Sequence, residues 1–125
     1  MSNPYNLLGG EAGVRNLANE FYNVMATRPD AKKIRLMHAE NLNSVQNKLF
    51  MFLSGWLGGP NLYFEEHGTI CLSSPHAKYS IGTKERDQWL ECMDQALDNI
   101  NASDELKEML KIPMFNIAET IRNQK

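Results

Sequence analysis

The spacing of the apolar residues is the feature that most constrains this chain. In four stretches, apolar side chains recur three and four residues apart, the period that puts them on one face of an α-helix. The stripes are Val14, Leu17, Ala18, Phe21, Tyr22 and Met25; Leu42, Val45, Leu49, Phe52, Leu53 and Trp56; Trp89, Met93, Ala96, Leu97 and Ile100; and Leu106, Met109, Leu110, Ile117 and Ile121. No strand-like alternation is long enough to argue for a sheet. The pattern predicts an all-α protein.

Glycine and proline predict where these helices begin and end. The first helix follows Gly9 and Gly10, the second stops at residues 58–60 (Gly-Gly-Pro), and the third starts near Thr83. Pro113 is expected to kink or split the fourth helix, because proline removes a backbone hydrogen bond and clashes with the preceding turn.

Residues 58–82 are the unusual part of the chain. They hold four glycines, two prolines and several serines, so little regular structure is expected there. A loop of that length in a compact domain is normally functional or disordered, and it argues against a bundle with short connections. The same segment carries two of the three histidines, His67 and His76.

Length and charge narrow the function classes. With 125 residues, the chain fits one domain, residues 1–125, that is large enough to bury a core. A formal charge of −2 offers no basic field for nucleic acid or an anionic membrane. The start of the chain has neither a basic segment nor a long apolar run, so we expect a cytoplasmic protein without a membrane span. Cys71 and Cys92 are expected to be free thiols, and one disulfide between them is the alternative.

Motifs for catalysis are scarce. The sequence has no phosphate loop, dinucleotide fingerprint, nucleophile elbow or HExxH, which disfavours hydrolases and nucleotide enzymes. It has 7 Met, 5 Phe, 4 Tyr and 2 Trp beside the isolated His76, a composition that suits a flat apolar cofactor. Such stripes are more often ordinary core, however, and a lone histidine is more often structural. Residue pattern alone therefore favours the structural interpretation.

Sequence motifs add a stronger signal. FYNVM (21–25), KLFMFLSGWLGGPNLY (48–63), HAKYSIG (76–82) and ERDQWLECM (85–93) follow one another in order. Together they resemble the group II truncated haemoglobins over nearly the whole chain. The resemblance implies a two-over-two helical sandwich, a shortened globin with a long irregular segment before the proximal histidine. That segment corresponds to the unusual residues 58–82.

On this resemblance His76 is the proximal ligand of the iron. A neutral imidazole is a good iron ligand and leaves the opposite axial position open for gas. The implied cofactor is haem b, held non-covalently because no CxxCH occurs. His67 falls where the family shows no required ligand and is interpreted as structural.

The resemblance also implies a distal pocket. Tyr22, His38 and Trp89 match its ligand-binding positions, and all three side chains are possible hydrogen-bond donors. Val45 occupies the position where vertebrate globins use histidine. Either His38 or Tyr22 is a candidate to bind the iron directly when no gas is present. The apolar walls against the porphyrin are expected to be Val45, Leu49, Phe52 and Leu53.

Haem carries two carboxylates that need cationic or hydroxyl partners, and by similarity Lys48 and Tyr63 supply them. The sequence departs from the family before the proximal histidine. Ser73, Ser74 and Pro75 replace frequent basic residues, and the common GHP is replaced by residues 68–70 (Gly-Thr-Ile). Lys78 and Arg86 are candidates to compensate, although Arg86 is better placed to stabilise the start of its own helix.

The resemblance leaves several functions open. The leading hypothesis is binding of oxygen, nitric oxide and carbon monoxide with redox chemistry at the iron, either nitric oxide dioxygenation or a peroxidase-like reaction. The runner-up is a non-catalytic gas sensor or transfer protein. A third alternative is a helical interaction module that has lost haem. A reductase is a possible partner, and the protein is expected to be a monomer or homodimer.

Overall fold

The structure is a computed structural model that describes residues 3–38, 41–68 and 79–124. The described part is helical: α1 (Pro4–Leu8), α2 (Gly10–Thr27), a short 3-10 helix (Pro29–Ala31), α3 (Lys32–Leu36), α4 (Asn43–Trp56), α5 (Leu62–His67), α6 (Thr83–Asn99) and α7 (Asp104–Ile121). The four long helices coincide with the four apolar stripes, which confirms the predicted all-α class.

The core surrounds α2, which packs against α4 and α6, while α7 packs against α6. Residues of the first stripe are buried almost completely, and they meet Leu53, Met93 and Leu106 from the other long helices. Burial of apolar side chains where α2 packs against α4 and α6, and where α6 packs against α7, is the main driving force for the fold.

The predicted end of α4 is confirmed at the glycine pair. Gly58 has φ +104°, a backbone conformation that favours glycine, and a Cβ at Gly59 would lie 2.3 Å from the Tyr5 ring. The absence of side chains here lets α1 lie against the end of α4. The Nδ2 of Asn3 then donates to the carbonyl of Gly58 at 3.0 Å.

Of the two outcomes predicted at Pro113, the split does not occur. α7 runs through Pro113, and the proline lies on the exposed side of the helix. The carbonyl of Met109, which loses its helical partner, belongs to a residue that is itself exposed to water. Within the described residues of the segment 58–82, the helix is the short α5, which ends at Gly68 in the left-handed conformation, in keeping with the little regular structure predicted there.

Local polar groups fix where α6 and α7 begin. The side chain of Ser103 accepts from the N–H of Leu106 at 3.1 Å at the start of α7. At the start of α6, Glu85 reaches back to accept from the N–H of Gly82 at 2.8 Å. In the described part of the chain, no helix is both long and apolar enough to cross a bilayer.

Candidate functional site

A cavity of about 480 Å³ lies between α2, α3, α4, α6 and the C-terminal half of α7. This volume is within the range of small-molecule and cofactor sites, and most of the lining is apolar or aromatic. The lining residues are Tyr22, Met25, Ile34, Met37, His38, Val45, Lys48, Leu49, Phe52, Tyr63, Tyr79, Ile81, Glu85, Arg86, Trp89, Ile117, Ala118 and Ile121.

Three of the predicted site residues, Tyr22, His38 and Trp89, form what we call the polar wall of this cavity. The rings of Tyr22 and His38 meet edge to face with their centroids 5.5 Å apart. Phe21, which is fully buried behind them, lies 5.0 Å from the Tyr22 ring and 5.3 Å from the Trp89 ring. The structure therefore brings together residues that lie far apart in the sequence and supports them on one buried ring.

Tyr22 remains neutral in this environment. Burial raises the pKa of its hydroxyl well above the ordinary value, because the phenolate would lose its hydration. A neutral phenol keeps its O–H, so Tyr22 is a hydrogen-bond donor at any physiological pH.

His38 is held in one tautomer by its own helical turn. Its Nδ1 lies 2.8 Å from the carbonyl oxygen of Ile34. Since a carbonyl oxygen only accepts, Nδ1 carries the proton, and in the neutral ring the lone pair is on Nε2. Neutral His38 thus presents an acceptor or metal ligand at Nε2, and it donates from that atom only as the imidazolium.

α4 supplies a second, apolar wall. Val45, Leu49 and Phe52 lie on successive turns of one helix face and line the cavity, as the sequence predicts. Leu53 is 1% exposed and belongs to the core cluster, and it is not among the lining residues. Leu53, which directly follows Phe52 in the sequence, thus contributes to the core rather than to the cavity.

Lys48 and Tyr63 lie at the edge of the cavity. Lys48 is exposed, and the half-buried Tyr63 packs its ring edge to face on Phe52, with centroids 6.4 Å apart. α5 positions Tyr63, and the Oγ of Ser54 donates to the carbonyl of Pro60 at 2.7 Å just before that helix. His67 lies at the other end of α5, with its ring centroid 4.4 Å from that of Tyr63.

Two charged residues line the cavity as well, and both are committed to partners. Glu85 is buried and accepts from the Gly82 N–H and, at 3.1 Å, from the Nζ of Lys33. These bonds, above all the one from Gly82, hold the pKa of Glu85 below its ordinary value. Arg86 pairs with Asp87 and, at 2.7 Å, with Glu119.

Sequence reasoning missed several of the apolar lining residues. These are Met25, Ile34, Met37, Tyr79, Ile81, Ile117, Ala118 and Ile121. Met25, Ile117 and Ile121 belong to predicted stripes, but a stripe does not distinguish a core face from a cavity face. Tyr79 and Ile81 belong to the motif HAKYSIG, and that motif is the sequence signal that could have identified them as lining residues.

Some predicted residues lie outside the described ranges. They are His76, Cys71, Lys78 and the departures at Thr69, Ile70, Ser73, Ser74 and Pro75.

Cys92 is a free, buried thiol, and burial raises its pKa to about 11.

Comparison with known proteins decides the family. The bacterial-like globin family matches residues 3–123. The group 2 truncated haemoglobin YjbI of Bacillus subtilis (strain 168) is 36% identical over 107 residues, which cover 86% of this chain and 78% of the relative. The chain belongs to the group II truncated haemoglobins.

Solved structures agree with this assignment. This truncated haemoglobin matches the cold-adapted truncated haemoglobin of Pseudoalteromonas haloplanktis TAC125 with a TM-score of 0.94 and 41% identity, covering 99% of this chain and 100% of the other. It matches the group II 2-on-2 haemoglobin of Agrobacterium tumefaciens with a TM-score of 0.93 and 36% identity, covering 100% and 97%. The predicted two-over-two truncated globin fold is confirmed.

The family's cofactor is haem b, and the cavity fits it. A porphyrin needs apolar walls for its faces and polar groups at the edge for its carboxylates. The cavity has apolar walls from α4 and α7, and Lys48 and Tyr63 lie at its edge. This truncated haemoglobin is therefore a haem protein that binds diatomic gases such as oxygen.

Proposed function

We propose that this haemoglobin binds the haem iron through His76 and oxidises nitric oxide with oxygen, using Tyr22 and Trp89 as hydrogen-bond donors. The observation that carries the proposal is the polar wall, which sets the donor side chains of Tyr22 and Trp89 in a mainly apolar cavity. Donors at these positions would stabilise the negative charge that develops on oxygen during such a reaction.

Haem, when bound, would supply an iron that binds a diatomic gas. The neutral imidazole of His76 would hold this iron, since it donates a lone pair without adding charge. His67 is a poor alternative, because it is exposed and its ring packs on Tyr63. His38 lines the cavity beside Tyr22, and its Nε2 would be a candidate to hold the iron when no gas is bound.

The polar wall would determine how strongly the pocket holds oxygen. Tyr22 donates its O–H, and Trp89 its indole N–H, in a cavity whose other walls are mainly apolar. Two such bonds at about 0.5–1.5 kcal/mol each slow the release of oxygen by roughly 5- to 150-fold. Slow release suits poorly the bulk transport of oxygen and suits a reaction that consumes it.

The proposed reaction balances with one added electron. Nitric oxide, oxygen and one electron together give nitrate. The haem iron would supply that electron, and a cellular reductase would replace it. Lys48 and Tyr63, at the edge of the cavity, would bind the haem carboxylates and keep the cofactor in place during turnover.

Optical spectra test the iron ligand. We expect haem-reconstituted wild-type protein to give a reduced spectrum that converts to a carbonyl form under carbon monoxide, and His76→Ala to lose or alter it. His67→Ala is the matched control and should be unchanged. If His76→Ala retains the wild-type spectrum, His76 is not the ligand, and wild-type protein that stays colourless with haemin would instead support a helical module without haem.

Stopped-flow mixing tests the reaction. Reduced protein equilibrated with oxygen and then mixed with nitric oxide should yield nitrate and ferric protein rapidly, and a flavin reductase should sustain turnover. Tyr22→Phe, which removes only the hydroxyl, should lower the rate. Slow consumption of nitric oxide by wild-type protein would remove the dioxygenase function and favour a gas sensor or transfer protein.

A further inference from the structure

The chain that follows α7 crosses back over residues 79–81, which we call the clasped segment. α7 ends at Ile121, and Arg122 adopts an extended backbone with φ −60° and ψ 129°. This extension brings Asn123 and Gln124 against a segment that lies 42 residues earlier in the sequence.

Four hydrogen bonds join Asn123 and Gln124 to the clasped segment. The Oδ1 of Asn123 accepts from the N–H of Ile81 at 2.9 Å, and its Nδ2 donates to the carbonyl of Tyr79 at 2.7 Å. The backbone N–H groups of Asn123 and Gln124 both donate to the carbonyl of Ile81, at 2.8 and 2.9 Å. The contact thus satisfies the backbone of a segment that has no helix of its own.

Both halves of the Asn123 amide are used, which makes the residue type specific. An aspartate would keep the acceptor for Ile81 but lose the donor to Tyr79, and an alanine would lose both. Backbone groups of an irregular segment need hydrogen-bond partners outside regular structure. The side-chain amide of Asn123 supplies bonds that a neighbouring strand would supply in a β-sheet.

The clasped segment is part of the haem cavity. Tyr79 and Ile81 both line the cavity, and Ile81 is only 9% exposed. Ile117 and Ile121 of α7 line it too, so the end of α7 forms the wall and also anchors its neighbour. His76 precedes Tyr79 by three residues in the sequence, so the anchor fixes the chain just downstream of the proposed iron ligand.

An ion-pair network steadies the anchor itself. Arg122 pairs with Glu119, and its Nη1 donates to the carbonyl of Gln124 at 2.8 Å. Glu119 also accepts from Arg86 of α6 at 2.7 Å. The residues on either side of Asn123 are thereby tied to both α6 and α7.

We propose that Asn123 is a positioning residue of the haem site, which acts through Tyr79 and Ile81 to set the geometry of the iron–histidine bond. This inference rests on the proposed role of His76. Asn123 touches neither the cofactor nor the gas in this scheme, and its effect is transmitted by the backbone of the clasped segment.

The test compares Asn123→Ala and Asn123→Asp with wild-type protein, all full length and reconstituted with haem. Asn116→Ala, a change at an exposed asparagine of α7, is the matched control. Three measurements are made: the iron–histidine stretching band of the ferrous protein by resonance Raman, the rate of haem transfer to an excess of apomyoglobin, and hydrogen exchange at the Ile81 amide.

In Asn123→Ala we expect a shifted or broadened iron–histidine band, haem loss faster by about fivefold or more, and faster exchange at Ile81. Asn123→Asp should fall between this variant and wild type, and Asn116→Ala should match wild type. If Asn123→Ala does not fold, the same measurements on Asn123→Asp test the inference, because this variant keeps the hydrogen bond from the Ile81 N–H and loses only the one to Tyr79.

A wild-type band and wild-type haem loss in a folded Asn123→Ala protein would overturn the inference, even if its melting temperature fell. That result would leave the proposed function intact. Failure of the proposed function looks different, because wild-type protein itself would then show no iron–histidine band, or His76→Ala would retain it.

Discussion

The polar wall and the clasped segment face the same cavity but are built in different ways. The polar wall consists of side chains, with Tyr22 on α2, His38 just after α3 and Trp89 on α6, and the buried ring of Phe21 supports Tyr22 and Trp89. The clasped segment consists of backbone groups held by an amide from the end of the chain. The first depends on packing and the second on hydrogen bonds, so different substitutions should weaken them.

The largest effect is expected where the polar wall depends on packing. Phe21→Ala removes a fully buried ring that contacts Tyr22 and Trp89, and it should lower the free energy of unfolding by about 3–5 kcal/mol. Urea unfolding of the haem-loaded protein measures this loss. Phe64→Ala is the control, because Phe64 is 48% exposed and its removal should change stability little. Equal losses in the two variants would contradict the dependence on packing.

The next effect concerns the start of α6, just after the clasped segment. Glu85→Gln removes the carboxylate that accepts from Gly82 and Lys33, and it should cost about 1.5–3 kcal/mol at neutral pH. Because the pKa of Glu85 is lowered by folding, its stabilisation is present above the unfolded pKa and is lost as the pH falls through the folded pKa.

The pH window for this effect therefore lies below about pH 4.5, where an unfolded glutamate begins to bind its proton. Urea unfolding at several pH values should show a weaker loss of stability on acidification in Glu85→Gln than in wild type. Glu108→Gln, a change on the exposed face of α7, is the control. An unchanged acid slope in Glu85→Gln would show that this carboxylate does not contribute.

The next smaller effect concerns the two hydrogen-bond donors of the polar wall, Tyr22 and Trp89. Tyr22→Phe and Trp89→Phe each remove one donor, and each should speed the release of oxygen by about 2- to 12-fold. Flash photolysis or ligand replacement with carbon monoxide measures the rate. The two effects in the double variant should combine to roughly 5- to 150-fold if the donors act independently. No change in either variant would mean that the polar wall does not contact the gas.

The smallest effect is expected at the edge of the cavity. Lys48 is exposed, and an exposed ion pair is worth about 0.2–1 kcal/mol, so Lys48→Ala should speed haem loss by only about 1.4- to 5-fold. Lys84→Ala, a change at an exposed lysine of α6, is the control. A much larger effect at Lys48 would indicate a buried pair with a haem carboxylate, whereas none would favour Tyr63 as the main partner.

The sequence predicted most of the fold and much of the polar wall. Helix period and turn residues are local properties, so the four long helices and the end of α4 followed from the stripes and from Gly58. The split considered at Pro113 does not occur, and the carbonyl that loses its helical partner belongs to Met109, an exposed residue. A stripe could not assign Leu53 to the core rather than to the cavity, because both faces are apolar.

The motifs of the sequence by themselves determined the family, and with it the cofactor, because they specify residue types in a fixed order. Only the tertiary structure decided which polar groups meet. Asn123 pairs with Ile81 across 42 residues, Arg86 is committed to Glu119, and Ile34 holds His38 in one tautomer. The long-range pairings depend on how the helices close on one another, and even the local bond of His38 depends on a side-chain rotamer. A linear sequence directly specifies neither the packing of the helices nor the rotamer of His38.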